Sequence, residues 1–297
     1  MRIIESADNT LFKSFHRLKS PHQSKKERLV IVEGIRHVAD LINNQIEPDY
    51  LVFSNDERGK HAMNILEGET RISLSAVTND KVCWLAPHLF ERLSEMKTHQ
   101  GVIAIVRPPS LTLAELLDAL EGSTARLLLL EDVQDPGNVG TLIRTADALG
   151  FNGVLLSAST ATIYNPKTVA ASMGSIFHIP IVELRSDVCL IADDLKRLGY
   201  VMVASDIEGD NLASGRPQAP KLVLMMGNEG KGLSEEALAV ADLSVRIPMR
   251  GKAESLNVAS AGAILMWEIV RGESKFAECQ SNLDSRVVIQ EETQMLR

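Results

Sequence analysis

From Arg126 onward, short uninterrupted apolar runs alternate with segments of helical periodicity, and this alternation limits the fold more than any other feature of the chain. Residues 127–130 are apolar at every position, as a strand buried on both faces requires. A loop containing Asp135-Pro136-Gly137-Asn138 follows. Leu142, Ile143, Ala146 and Leu149 then fall at helical spacing, and Gly150 suits the left-handed position after a helix. Further strands are predicted at 153–156, 179–182, 200–204, 222–226 and 243–247. Helices fit around 164–173, 188–198 and 234–240. A last helix, about 256–271, is rich in Ala, Gly and Ser and so predicts close packing. Such alternation predicts an α/β fold with a parallel sheet covered by helices on both faces.

A smaller α/β unit precedes it. Residues 29–33 are strand-like, and after Gly34 the positions Ile35, Val38, Ala39 and Ile42 have helical spacing. Strands are predicted at 50–53, 72–74 and 102–106, a helix at 57–66, and one or two helical turns at 90–96. Arg107-Pro108-Pro109 closes the unit, because paired prolines break both helix and sheet. The division expected is therefore a first domain over 1–107, a linker with an amphipathic helix over 108–122, a second domain over 123–272 and a polar tail over 273–297.

Hydrophobic residues at 45% and charged residues at 24% argue against wholesale disorder. Cys83, Cys189 and Cys279 form no CxxC pair, so neither a disulfide framework nor a zinc or other metal site is expected, and this usage fits a reducing cytosol. The first fifteen residues have no apolar core of a signal peptide, and no run approaches the ~18 apolar residues of a membrane span.

The net charge of −8 argues against binding nucleic acid by bulk charge. Residues 11–28 run against it: Lys13, Arg17, Lys19, Lys25, Lys26 and Arg28 share the stretch with a single acid, Glu27. That segment is either an RNA-backbone contact, centred on Lys25, Lys26 and Arg28, or a solvated helix face.

Ligands of open α/β sheets bind at the carboxyl ends of strands, so the loops there hold the candidate site. Three stand out. In 138–144, Gly140 permits close backbone approach, and Asn138 and Arg144 meet only if Asn138 lies in the loop before the helix. In 227–232 a Gly-rich loop follows an apolar strand, but Met225 and Gly232 break the G-x-x-x-x-G-K-[ST] pattern, which disfavours a phosphate-loop NTPase. The third runs from Ile247-Pro248-Met249 to Glu254-Ser255-Leu256-Asn257, where Ser255 suits a helix N-cap.

In this order the three segments resemble the motifs of the SPOUT superfamily of RNA methyltransferases, in its ribose 2′-O-methylating, SpoU-type branch. The resemblance covers about residues 127–268. The first unit, through Val30-Ile31-Val32-Glu33-Gly34-Ile35-Arg36 and His99-Gln100-Gly101-Val102-Ile103-Ala104, resembles the RNA substrate-binding domain often joined to it, a fold related to ribosomal proteins. The resemblance implies a deep trefoil knot in the C-terminal domain, a homodimer with a shared active site, and S-adenosylmethionine bound around Gly227, Ile247 and Leu256. It implies functional roles for Asn138, Arg144, Glu229, Ser255 and Asn257. The family's usual proposal makes the residue at Arg144 the general base. A guanidinium stays protonated in proteins, so an electrostatic role for it stands beside that one, with Asn138 orienting Arg144 or the ribose and Glu229 holding Arg144 or a partner-chain residue. The expected reaction is ribose 2′-O-methylation of structured RNA, with 23S (large-subunit) rRNA the expected substrate; tRNA methylation and a non-catalytic RNA-binding module are the alternatives.

Overall fold

The computed structural model describes residues 2–70, 81–211 and 219–271. The predicted strand at 72–74 and the tail from 273 lie outside the described residues.

Period-two burial builds the first sheet. In β5 (Val102–Val106) every residue is buried: Ile103 and Ile105 face one core, and Val102, Ala104 and Val106 the other. Around it lie β1 (Arg2–Ile4), β2 (Val30–Glu33), β3 (Tyr50–Ser54) and β4 (Val82–Leu85), in the order β1-β4-β3-β5-β2. The pairs β1–β4 and β3–β4 are parallel; β3–β5 and β2–β5 are antiparallel. Neither β1 nor β4 was expected. One face is covered by α1 (Thr10–Arg17) and α5 (Pro87–Leu93), the other by α3 (Ile35–Asn43) and α4 (Glu57–Glu69). The basic stretch is thus part of a fold element. It forms α1 and α2 (Pro21–Glu27), and it buries Phe12, Phe15, Leu18 and Ser24 while its cations stay outward.

The second sheet has six parallel strands in the order β11-β9-β10-β6-β7-β8. They are β6 (Ala125–Leu130), β7 (Gly153–Leu156), β8 (Ile181–Glu183), β9 (Val201–Asn211), β10 (Lys221–Met226) and β11 (Leu243–Arg246). The expected two-sided burial holds: in β6, Leu127 and Leu129 enter one core, while Leu128 and Leu130 enter the other. Helices α6 (Leu113–Ala119), α9 (Val188–Arg197) and α10 (Glu235–Ala239) cover the first of these faces. Helices α7 (Pro136–Ala148), α8 (Pro166–Ser172) and α11 (Val258–Val270) cover the second. The expected linker helix, α6, starts with a Thr112–Glu115 capping box and packs Leu116 into the core beside Leu127. Gly140 does permit close approach, but to a helix: a Cβ there would lie 2.5 Å from the Thr168 carbonyl oxygen of α8.

The two sheets share a continuous apolar cluster that runs from Val30 and Val38 to Leu128 and Val139. Polar contacts bridge the same junction. Lys25 pairs with Glu183 at 3.1 Å, Arg28 donates to the Ser110 hydroxyl, and His178 lies 3.2 Å from Asp40 and 3.4 Å from Asp147. Among the described residues no helix is long and apolar enough to cross a membrane.

Candidate active site

Strands β6 and β10 are neighbours in register, Leu130 beside Met226. Being parallel, they deliver the loops 131–135 and 227–232 to the same edge. The second loop closes on itself: Asn228 N–H donates to the Gly232 carbonyl and Gly232 N–H to the Asn228 carbonyl, both at 2.9 Å. At Gly227 a Cβ would lie 2.2 Å from the Gly232 carbonyl carbon, so the closed turn requires glycine there.

The closed turn presents Glu229 to the start of α7. Its carboxylate accepts from Gln134 N–H at 3.1 Å, Asp135 N–H at 3.0 Å and the Asn138 side-chain amide at 3.0 Å. Partial burial opposes the charge on Glu229. The donors of Asn138, Asp135, Glu229 itself and Gln134 outweigh that burial and hold its carboxyl below the usual carboxylate range. With its NH₂ committed to Glu229, Asn138 turns its oxygen to the Asn257 amide, 3.0 Å away. The Asn257 oxygen in turn accepts from Ala259 and Ser260 N–H at 2.9 and 3.3 Å, capping α11. A carboxylate only accepts and a backbone N–H only donates, so both amide orientations in the chain Glu229–Asn138–Asn257 are determined.

The three motifs therefore meet, with corrections. The N-cap of the last helix is Asn257, not Ser255, which is exposed. Asn138 sits inside α7, whose N-cap is Asp135, so the condition for meeting Arg144 fails. Six helical residues separate the two by about 9 Å along the axis and put them on different faces. Glu229 holds Asn138 rather than Arg144. Arg144 is exposed, with no hydrogen bond or ion pair among the described residues.

A cleft of about 760 Å³ opens beside this network, and Gly227, Ile247 and Leu256 all line it, as does Ser255. Leu233, Met226 and Leu238 add apolar walls, and Asp206 and Glu254 add carboxylates. A larger cleft of about 1180 Å³ lies at the junction of the sheets, lined by Lys25, Arg28, Glu183, Arg185 and Arg197 among others. It contains none of the three motifs, so the smaller cleft is the candidate site. Lys26 is exposed at the end of α2, and its neighbour Lys25 is engaged by Glu183. Sequence reasoning missed Asp132, Gln134 and Asn228 and the backbone donors of 134 and 135. The one available signal was Asp135-Pro136, an N-cap followed by proline in the first helical position.

A parallel sheet whose three strand-end loops meet around a cleft, joined to a small mixed sheet, has the architecture of an α/β protein that binds its ligand at the carboxyl ends of its strands. Residues 125–267 match the SpoU rRNA Methylase family and residues 9–104 the MRM3-like substrate binding domain. The chain is 33% identical over 270 residues to the 23S rRNA (guanosine(2553)-2′-O)-methyltransferase RlmP of Bacillus subtilis, spanning 91% of this chain and 99% of that protein. It is 35% identical over 193 residues to the 23S rRNA (uridine(2479)-2′-O)-methyltransferase of Streptomyces viridochromogenes, spanning 63% of this chain and 66% of that one. Among solved structures it resembles an rRNA methyltransferase from Sinorhizobium meliloti, with a TM-score of 0.76, 26% identity and coverage of 91% and 97%. The AdoMet-bound form of that protein matches with a TM-score of 0.74. The chain belongs to the SpoU rRNA methylase family. It is a methyltransferase, and S-adenosylmethionine is its methyl donor.

Proposed function

We propose that this protein methylates a ribose 2′-hydroxyl in 23S rRNA. The observation that carries the reading is the hydrogen-bond chain Glu229–Asn138–Asn257, which ties all three motifs at one edge of the sheet. It is supported by a relative, matched over 99% of its length, that is a 23S rRNA 2′-O-methyltransferase.

The cleft beside Gly227 fits the methyl donor. Its volume lies within the usual range for small-ligand sites, about 300–1,000 Å³. Its walls combine apolar side chains, Leu233, Ile247 and Leu256, with loop backbone, which suits an adenosine. Asp206 and Glu254 suit the donor's positive charge. When bound, the donor supplies a methyl made electrophilic by its sulfonium. The protein's task is then to hold the ribose oxygen in line with it and to ease loss of that oxygen's proton. Asn138 and Asn257 are pinned from both sides and so present fixed edges to the ribose. Glu229 is saturated by donors and acts by holding Asn138 rather than by taking a proton. Arg144, always cationic, stabilises the developing alkoxide or grips an adjacent phosphate.

Arg144 has no partner among the described residues, and the neighbouring helix α11 exposes Ile264 and Trp267. A homodimer that covers this apolar face and brings Arg144 to the partner's cleft accounts for both. The first domain and residues 25–28 contact RNA, and the enzyme works in the cytosol with its substrate. The knot implied for the family belongs to this same C-terminal domain.

The test is a map of 2′-O-methyl sites across total RNA in cells with and without the gene. One rRNA ribose should lose its methyl when the gene is absent and regain it with purified protein and S-adenosylmethionine. A site lost from tRNA, with rRNA unchanged, overturns the substrate assignment.

A further inference from the structure

Only four residues other than glycine have a positive φ among those described: Arg28, Gln45, Asp132 and Met173. Of these, Asp132 stands at the active site, with φ 56°. Aspartate tolerates this region better than most residues, yet glycine tolerates it better still. A chain that needed only the turn would do as well with glycine. The side chain at this position therefore calls for its own account.

Every polar group of Asp132 is engaged. Its N–H donates to the Ser157 hydroxyl at 3.1 Å. Its carbonyl oxygen and its Oδ2 both accept from the Asn228 amide, at 2.9 and 3.1 Å. Its Oδ1 accepts from the Gln134 amide at 2.6 Å. Asn228 is equally saturated, since its oxygen accepts from Gly230 and Lys231 N–H at 2.9 and 3.1 Å. The pair thus clamps the loop after β6 to the loop after β10. It does so beside the residues that matter: Asn228 adjoins Glu229, and Asp132 lies two residues before Gln134, whose N–H Glu229 accepts.

We propose that Asp132 is a positioning residue for methyl transfer, acting through Asn228 to aim Glu229 at Asn138. The left-handed backbone turns the Asp132 carbonyl and carboxylate together onto one amide. The clamp fixes both ends of the contact made by Glu229. Without it, the loop of residues 227–232 keeps its internal bonds but loses its register against α7. The inference rests on the methyltransferase reading above.

Three variants separate a clamp from a turn residue. Asp132→Gly keeps the turn and deletes the clamp. Asn228→Asp sets two carboxylates against each other. Asp132→Asn with Asn228→Asp reverses the side-chain contact: the new amide at 132 donates to the new carboxylate at 228, its oxygen still accepts from Gln134, and the carboxylate still accepts from Gly230 and Lys231 N–H, while the carbonyl oxygen of residue 132 loses its donor. Single-turnover methyl transfer to a 23S rRNA fragment, RNA KM, and calorimetric S-adenosylmethionine binding are measured for each, with thermal melts to verify folding. Each single variant should lose roughly tenfold or more in rate, with RNA KM unchanged, and the reversed pair, which restores the side-chain contact alone, should regain part of it. A wild-type rate in Asp132→Gly overturns the proposal. So does a double variant no faster than Asn228→Asp alone. Should Asp132→Gly fail to fold, the reversed pair still decides. Wild-type transfer is measured first, so an error in the methyltransferase reading shows there. In that event S-adenosylmethionine affinity, weakened in Asn228→Asp and restored in the reversed pair, is the readout of the clamp.

Discussion

Two places in this molecule join distant segments through polar side chains, and they do so by different means. At the strand ends of the second sheet, Glu229 is held by backbone and amide donors that are themselves fixed by helix starts and closed turns. At the junction of the two sheets, Lys25 and Glu183 meet as a pair of flexible side chains, 53% and 32% exposed. The first arrangement has little freedom: each donor is committed before the carboxylate arrives. The second leaves water in competition and is screened by salt, so a pair of this kind is commonly worth under about 1 kcal/mol. Positional precision sits where chemistry needs it, and the domain junction relies on its shared apolar cluster instead.

The largest expected effect lies just outside the network. Arg144 bonds to nothing among the described residues, so its removal should leave the loops and the cleft undisturbed. Arg144→Ala should lower single-turnover transfer by ~10²–10³ while S-adenosylmethionine binding stays the same. Loss of cofactor binding in a folded variant would reassign Arg144 to the cofactor site. Unchanged transfer would make it an ordinary helix charge.

The next effect is inside the network and depends on pH. The Glu229 carboxyl is held below its ordinary range, so its contribution to stability is fully present above the unfolded-state value. That contribution disappears as pH falls through the lower, folded-state value. Glu229→Gln places an NH₂ where an acceptor is needed, and should be less stable than wild type at neutral pH. The gap should narrow as the wild-type carboxylate takes up its proton in acid. Thermal melts of both proteins across the acid range test this. A gap that does not change with pH would mean that the charge on Glu229 contributes nothing to holding the loops.

The same contrast explains what could be read in advance. The β6 run and the α7 pattern were legible because burial on two faces forces continuous apolarity, and burial on one helical face forces a 3.6-residue period. β1 was not, being three residues long with Ile3 exposed. β4 was not, because the apolar run Val82–Leu85 is only four residues long, too short to tell a buried strand from a buried helical turn. The motif residues were legible through family resemblance, but their mutual geometry was not. That Asn138 reaches Glu229 depends on β10 lying beside β6, a pairing between residues almost a hundred positions apart. Asp132 left no trace, because a left-handed aspartate has no pattern around it.

The smallest effect concerns the junction, and it tests whether the basic segment contacts RNA at all. Lys25, Lys26 and Arg28 were grouped as equals, and the structure separates them. Lys26 is exposed and has no ion pair among the described residues; Lys25 faces Glu183, and Arg28 donates to Ser110. A lysine already neutralised by a carboxylate releases fewer counterions when a phosphate arrives. Each full phosphate contact contributes about 0.7–0.9 to the slope of log affinity against log salt. Lys26→Ala should therefore flatten the slope by nearly that amount, and Lys25→Ala by less. Glu183→Gln frees Lys25, so it should steepen the slope and tighten RNA binding at low salt. Melting temperature should barely move in any of the three, since an exposed pair contributes little. Filter binding or fluorescence anisotropy over a salt series gives all three slopes. Equal flattening by Lys25→Ala and Lys26→Ala would show that Glu183 does not hold Lys25 in solution. Three unchanged slopes would remove this segment from the RNA interface and leave it as a solvated helix face.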